Sequence, residues 1–277
     1  MRYSLTCSIS RVKKLLAILP AFLLASCSVM DVVGPRANGE IMALARQASA
    51  DELSLGGTPA SELRKAQADQ LAGEALRLCG TSPSGETPST CNVSYGDTDL
   101  PRGAASESEL IARLRADTVA AAARVPESSV DLVVAQAVDT VALEPVRLAP
   151  PSLDRAPEAD VEATREALRG EYALEYGLGL ATAWADDSLR QRIDALRKAA
   201  DERREALVSA LAPTGEVPAP APGYETSAAP SDAASAAAFV EQLRAAQVAR
   251  LRRLAAEAQG EAWRDAAIGL AAHAQRA

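Results

Sequence analysis

The stretch "PTGEVPAPAPGYETSAAP", residues 213–230, constrains the fold more than any other part of this chain. It separates two long segments of helical period, 188–211 and 232–258, and cannot itself be helix, because proline lacks the N–H and clashes with the preceding turn. In polyproline geometry it reaches about 3.1 Å per residue, roughly 55 Å in all. A helix of two dozen residues is only about 36 Å long. The connection can therefore run the full length of its neighbours, so that those two helices lie parallel in a bundle with one long crossover. The same composition would also suit a spacer between two separate helical hairpins.

The rest of the chain is written for helices. Alanine, the best helix former, dominates, aromatic residues make up only 3% of the sequence, and no segment alternates in the strand manner. The expected fold class is all-α. Helical segments are expected at about 38–53, 58–78, 106–124, 128–145, 158–184, 188–211, 232–258 and 260–276. Thr58-Pro59 supplies a cap followed by proline in the first helical position, and Ser106 with Glu109 has capping-box spacing. The Pro-rich "EPVRLAPPSLDRAP" at 144–157 is the best domain boundary, dividing a helical N-terminal domain, 38–150, from a four-helix bundle, 157–277.

The first residues carry an address. Arg2, Arg11, Lys13 and Lys14 precede the apolar run "LLAILPAFLLA", which is too short to span a bilayer as a resident helix. It ends in Leu24-Ala25-Ser26-Cys27, which resembles the bacterial lipoprotein signal. That resemblance implies removal of residues 1–26, lipid on Cys27, a tether over 27–37, and a protein held at the extracytoplasmic face of the membrane. Losing residues 1–26 removes four of the 29 basic residues and none of the 37 acidic ones. The remaining acidic excess argues against nucleic acid as a partner. Cys79 and Cys91 flank a polar Gly/Pro/Ser loop, and a disulfide between them is expected in an exported protein. A metal site there would lack a nearby histidine or further cysteines.

Placed on a wheel at 100° per residue, three helices turn polar groups toward a common axis. Glu171 and Glu175 fall in the apolar sector of 158–184, Arg203 in that of 188–211, and Gln247 and Arg250 in that of 232–258. Antiparallel pairing across the turn near 185–187 brings Arg203 within about one turn of Glu171. A planar guanidinium can satisfy a carboxylate with two donors. The expected arrangement is a buried network of Glu171, Glu175, Arg203, Gln247 and Arg250.

The motifs "EYALEYG" (171–177), "RREAL" (203–207), "PGYE" (222–225) and "SDAASAA" (231–237) make residues 158–277 similar to a family of ferritin-like domains of unknown function, found in lipoproteins of high-GC Gram-positive bacteria. The resemblance implies a ferritin-like four-helix bundle. Members often carry a histidine three residues before the Arg pair, where this chain has Ala200. The alternative at such an axis is a carboxylate-bridged di-metal centre acting in oxidation or metal storage. That template needs a Glu-x-x-His on each of two helices. The chain has no Glu-x-x-His, and its single histidine, His273, reads as a surface or partly packed residue at the edge of a helix face near the C-terminus. No metal or other cofactor, no catalytic residue and no enzymatic activity is expected. The expected role is a membrane-anchored binding or structural module, with an envelope protein or small ligand as its partner.

Overall fold

The computed structural model describes residues 34–82, 84–226 and 229–277. The signal segment and Cys27 lie outside them. Among the described residues the chain is all-helical, without strands: α1 Gly39–Ser54, α2 Pro59–Cys79, α3 Glu107–Ala121, α4 Glu127–Val141, α5 Glu158–Thr182, α6 Asp187–Leu211, α7 Ala233–Ala256 and α8 Glu261–Arg276. Short polar side chains start most of them, because the first N–H groups of a helix have no partner within it. Asn38 accepts from the amides of Glu40 and Ile41, Thr58 from Ser61, and Asp186 from Leu189. At α7 Asp232 accepts from Ser235 N while Ser235 Oγ accepts from Asp232 N, a reciprocal box. At α3 the reciprocal bond is displaced by one residue: Ser106 accepts from Glu109, but Glu109 reaches back to the amide of Ala105.

Side-chain pairs give the helix directions. Along α5 and α6, Glu171 meets Arg203 and Glu175 meets Arg197. Along α5 and α7, Glu166 meets Arg253 and Glu171 meets Gln247. One number rises as the other falls, so α6 and α7 are both antiparallel to α5 and parallel to each other. The long connection therefore runs back along the bundle. Its Glu216 pairs with Arg165 near the start of α5, and its Tyr224 ring packs on Tyr176 with centroids 5.5 Å apart. Those two anchor points on α5 are separated by about 16 Å at 1.5 Å per residue. α8 returns antiparallel on α7, and the tight turn between them is held by the buried Asp160, which accepts from the amides of Gln259 (2.9 Å) and Gly260 (2.6 Å).

Close approach of α5 and α7 depends on glycine. A Cβ built on Gly177 would lie 2.6 Å from Leu243 Cδ1, and one on Gly170 would lie 2.6 Å from Arg250 Nη1. Two glycines seven residues apart fall on nearly the same side of a helix, and here that side faces α7.

The N-terminal helices are not a separate body hung from this bundle. Val134, Ala137, Val138 and Val141 of α4 share one apolar core with Leu168, Leu207, Leu251 and the fully buried Trp263. α1 and α2 form a hairpin with its own core of Ile41, Ala45, Leu71 and Ala75, closed by Ala121, Val125 and Val133. The Cys79–Cys91 disulfide closes the loop that follows α2.

Candidate functional site

Glu171 is fully buried on the face of α5 that looks into the bundle. Arg203 of α6 donates to it through two parallel bonds, Nε to Oε1 at 2.7 Å and Nη2 to Oε2 at 2.9 Å. Gln247 of α7 donates a third, to Oε1 at 2.7 Å, and its own amide oxygen accepts from Arg250 Nη1 at 2.7 Å. Charges without partners at such depth would cost several kcal/mol each, and this bidentate geometry offsets that cost.

The fourth bundle helix joins through His273, for which the sequence left a surface or a partly packed position open and which the structure partly buries. His273 of α8 sits with Nδ1 3.3 Å from Arg203 Nη1, and its Nε2 is 3.0 Å from Glu202 Oε2. A guanidinium only donates, so Nδ1 accepts, and the ring proton lies on Nε2 and is donated to Glu202. The only legible cue was its (i, i−3) spacing from the buried Leu270, on the inward face of α8. Burial, then the neighbouring Arg203, holds the His273 pKa below its ordinary value, against the pull of Glu202 and Glu171.

One expected member of the network is corrected. Glu175 is not part of the buried cluster: its side chain is 37% exposed and pairs with Arg197 at 3.1 Å. One turn beyond Glu171 is a rotation of about 40° around the helix, enough to carry a side chain from the axis to the rim. Arg250 stays in the network through Gln247, but among the described residues it forms no ion pair with a carboxylate.

A second polar centre lies in the N-terminal half, and no reading of the sequence located it. Asp51 of α1 is buried against Arg64 of α2, whose Nε and Nη2 lie 3.2 and 3.1 Å from Oδ2. Its other oxygen accepts from Gln47 at 3.1 Å, from the amide of Ala104 at 3.0 Å, and from Arg113. Burial pulls the Arg64 pKa down while Asp51 pulls it up, and burial prevails. Gln67 takes a further Arg64 donor and carries the cluster to α4 through the Gln136 carbonyl (3.0 Å) and Thr140 Oγ1 (3.1 Å).

At the surface the chain from Glu171 ends beside a groove. Residues 145–155 lie along α6, leaving a concavity of about 590 Å³ lined by Val146, Arg147, Leu148, Glu202, Glu205 and Ser209. It adjoins a second of about 340 Å³, which shares Val146 and Glu202 and also touches Lys198, His273 and Arg276.

Residues 163–277 match DUF4439, a domain of unknown function. No curated protein and no solved structure matches the chain. The DUF4439 segment begins inside α5 and takes in the remainder of the bundle, with Glu171, Arg203, Gln247 and His273, but not the Asp51 centre. Within it a di-metal site does not fit. Both Glu171 oxygens already accept from Arg203, which leaves that carboxylate engaged by a cation of the chain itself. Among the described residues no three His, Cys, Asp or Glu side chains gather as a metal would require. No helix of the described residues is long and apolar enough to cross a membrane.

Proposed function

We propose that this protein is a lipoprotein of the cell envelope, anchored through lipid on Cys27, whose C-terminal bundle is a ferritin-like fold serving as a binding or structural module rather than as an enzyme. The observation that carries this reading is the Glu171–Arg203 pair. In a bundle with one long crossover, the axial carboxylate is the group that could hold a metal or move a proton. Here each of its oxygens is taken by a donor that cannot be displaced without leaving a charge buried alone. The axis thus serves as a rigid pin among four helices, and recognition falls to the surface. The groove beneath residues 145–155, with Arg147, Glu202, Glu205 and Ser209 on an apolar floor, has the mixed lining of a binding site.

Elemental analysis of purified residues 28–277 tests the axis: no stoichiometric transition metal is expected, and one iron or manganese per chain or more would overturn the reading. The anchor is tested by Cys27→Ala, which should move the protein from the membrane to the soluble fraction. Detergent-dependent membrane attachment that survives the substitution would contradict lipidation.

A further inference from the structure

We infer that His273 is a proton-operated latch on the last turn of α8: a proton added at Nδ1 expels the ring from Arg203 and loosens that turn, which the bonds of Gln275 and Arg276 continue to tether. The geometry opposes the added proton at that nitrogen. Nδ1 faces Arg203 Nη1 at 3.3 Å, and Arg203 cannot swing aside, since its Nε and Nη2 are held by Glu171 on the far side. An imidazolium would set an N–H against an N–H and a positive charge against a positive charge.

The charged surroundings come from every packed element. From α6, Glu202 accepts the Nε2 proton at 3.0 Å in either charge state, and Lys198 lines the same groove. From α5, Glu171 lies behind the guanidinium that shields it. From α8 itself, Arg276 borders the groove and donates to the carbonyls of Ala142 (2.8 Å) and Leu143 (2.9 Å). From α7, Arg244 donates to the Gln275 carbonyl at 3.3 Å and Arg252 to the Gln275 side chain, while Asp139 of α4 accepts from Gln275 Nε2 at 3.0 Å. The residues that face the ring from 145–146 are uncharged. Glu202 favours the imidazolium, but it sits at the opposite nitrogen and does nothing for the clash at Nδ1.

The turn that the latch secures forms one wall of the groove of about 340 Å³, so acidification would widen the floor of Pro145, Val146, Ala195 and Ala199. The sign of the linked stability follows. With its folded pKa depressed, neutral His273 contributes stability that is complete above about pH 6.5 and is lost as pH falls toward the folded value.

Because His273 is the only histidine, its Cε1–H resonance is unambiguous in the intact protein. The expected midpoint lies below about 6.5, and Glu202→Gln, at a half-exposed carboxylate, should lower it further. Hydrogen exchange of the amides of 270–276, corrected for intrinsic rates, should rise several-fold between pH 7.5 and pH 5.5 in the wild type but not in His273→Gln. A midpoint at or above about 6.5, or the same pH dependence of exchange in His273→Gln, would overturn the latch.

Discussion

The two buried carboxylate–guanidinium pairs, Asp51–Arg64 and Glu171–Arg203, solve the same electrostatic problem with different connections. Asp51 is tied to a loop as well as to helices: the amide of Ala104 and the side chain of Arg113 both depend on it. It holds the polar segment after the disulfide loop against α1. Glu171 accepts only from helix side chains, Arg203 and Gln247, and its connections lead outward through His273 to Glu202 at the surface. The first is a knot in the backbone and the second is a pin with one end in solvent. Of the two, the second carries a histidine, whose charge can follow external pH.

The knot should be the more costly to cut. Asp51→Ala strands the buried Arg64 and orphans the Ala104 amide, so a loss at the upper end of about 3–5 kcal/mol is expected in urea denaturation. A loss no greater than that of Arg203→Met would erase the distinction between the two centres. Next in size is the disulfide, which staples only the N-terminal half. Its reduction should cost roughly 3 kcal/mol, the value for a loop of about this length. Because α4 shares the bundle core, the whole chain should still unfold in one transition, and two separated transitions would show that the halves are energetically independent.

Glycine substitutions sharpen the same contrast. A methyl on Gly103 meets the backbone carbonyl of Ala50, which cannot move, whereas a methyl on Gly177 meets the end of the Leu243 side chain. Gly177→Ala should cost about 1–3 kcal/mol from overpacking, partly offset by about 1 kcal/mol of helix propensity. Gly103→Ala should exceed it in the same denaturation assay, and the reverse order would mean that the loop yields more easily than the bundle. Smallest of all is Glu175→Gln: its partly exposed pair with Arg197 should be worth about 0–1 kcal/mol by thermal melting. A larger loss would return Glu175 to the core network.

The two centres also differ in how far the sequence discloses them. Glu171 and Arg203 stand in long, strongly amphipathic helices joined by a short turn, so that periodicity and register alone bring them together. Asp51 lies in the last turn of α1, and its partners come from α2, from α3 and from the loop residue Ala104. No period in one helix encodes a loop amide 53 residues further along the chain. The partners of His273 stayed hidden for a related reason: a wheel gives a direction within its own helix, but not that α8 seats its last turn on Arg203. The paired glycines at 170 and 177 were legible in principle, since glycine inside a helix costs about 1 kcal/mol against alanine and signals a close neighbour. What the pattern cannot supply is the neighbour's identity.

The most direct test of the axial pin is a double-mutant cycle between Glu171→Leu and Arg203→Met, read by urea denaturation. Each single change leaves a charge buried alone and should cost about 3–5 kcal/mol, while the double change removes both charges and should recover most of that loss. Arg203→Met with wild-type stability, or two single losses that simply add in the double variant, would contradict a pair that holds the bundle together.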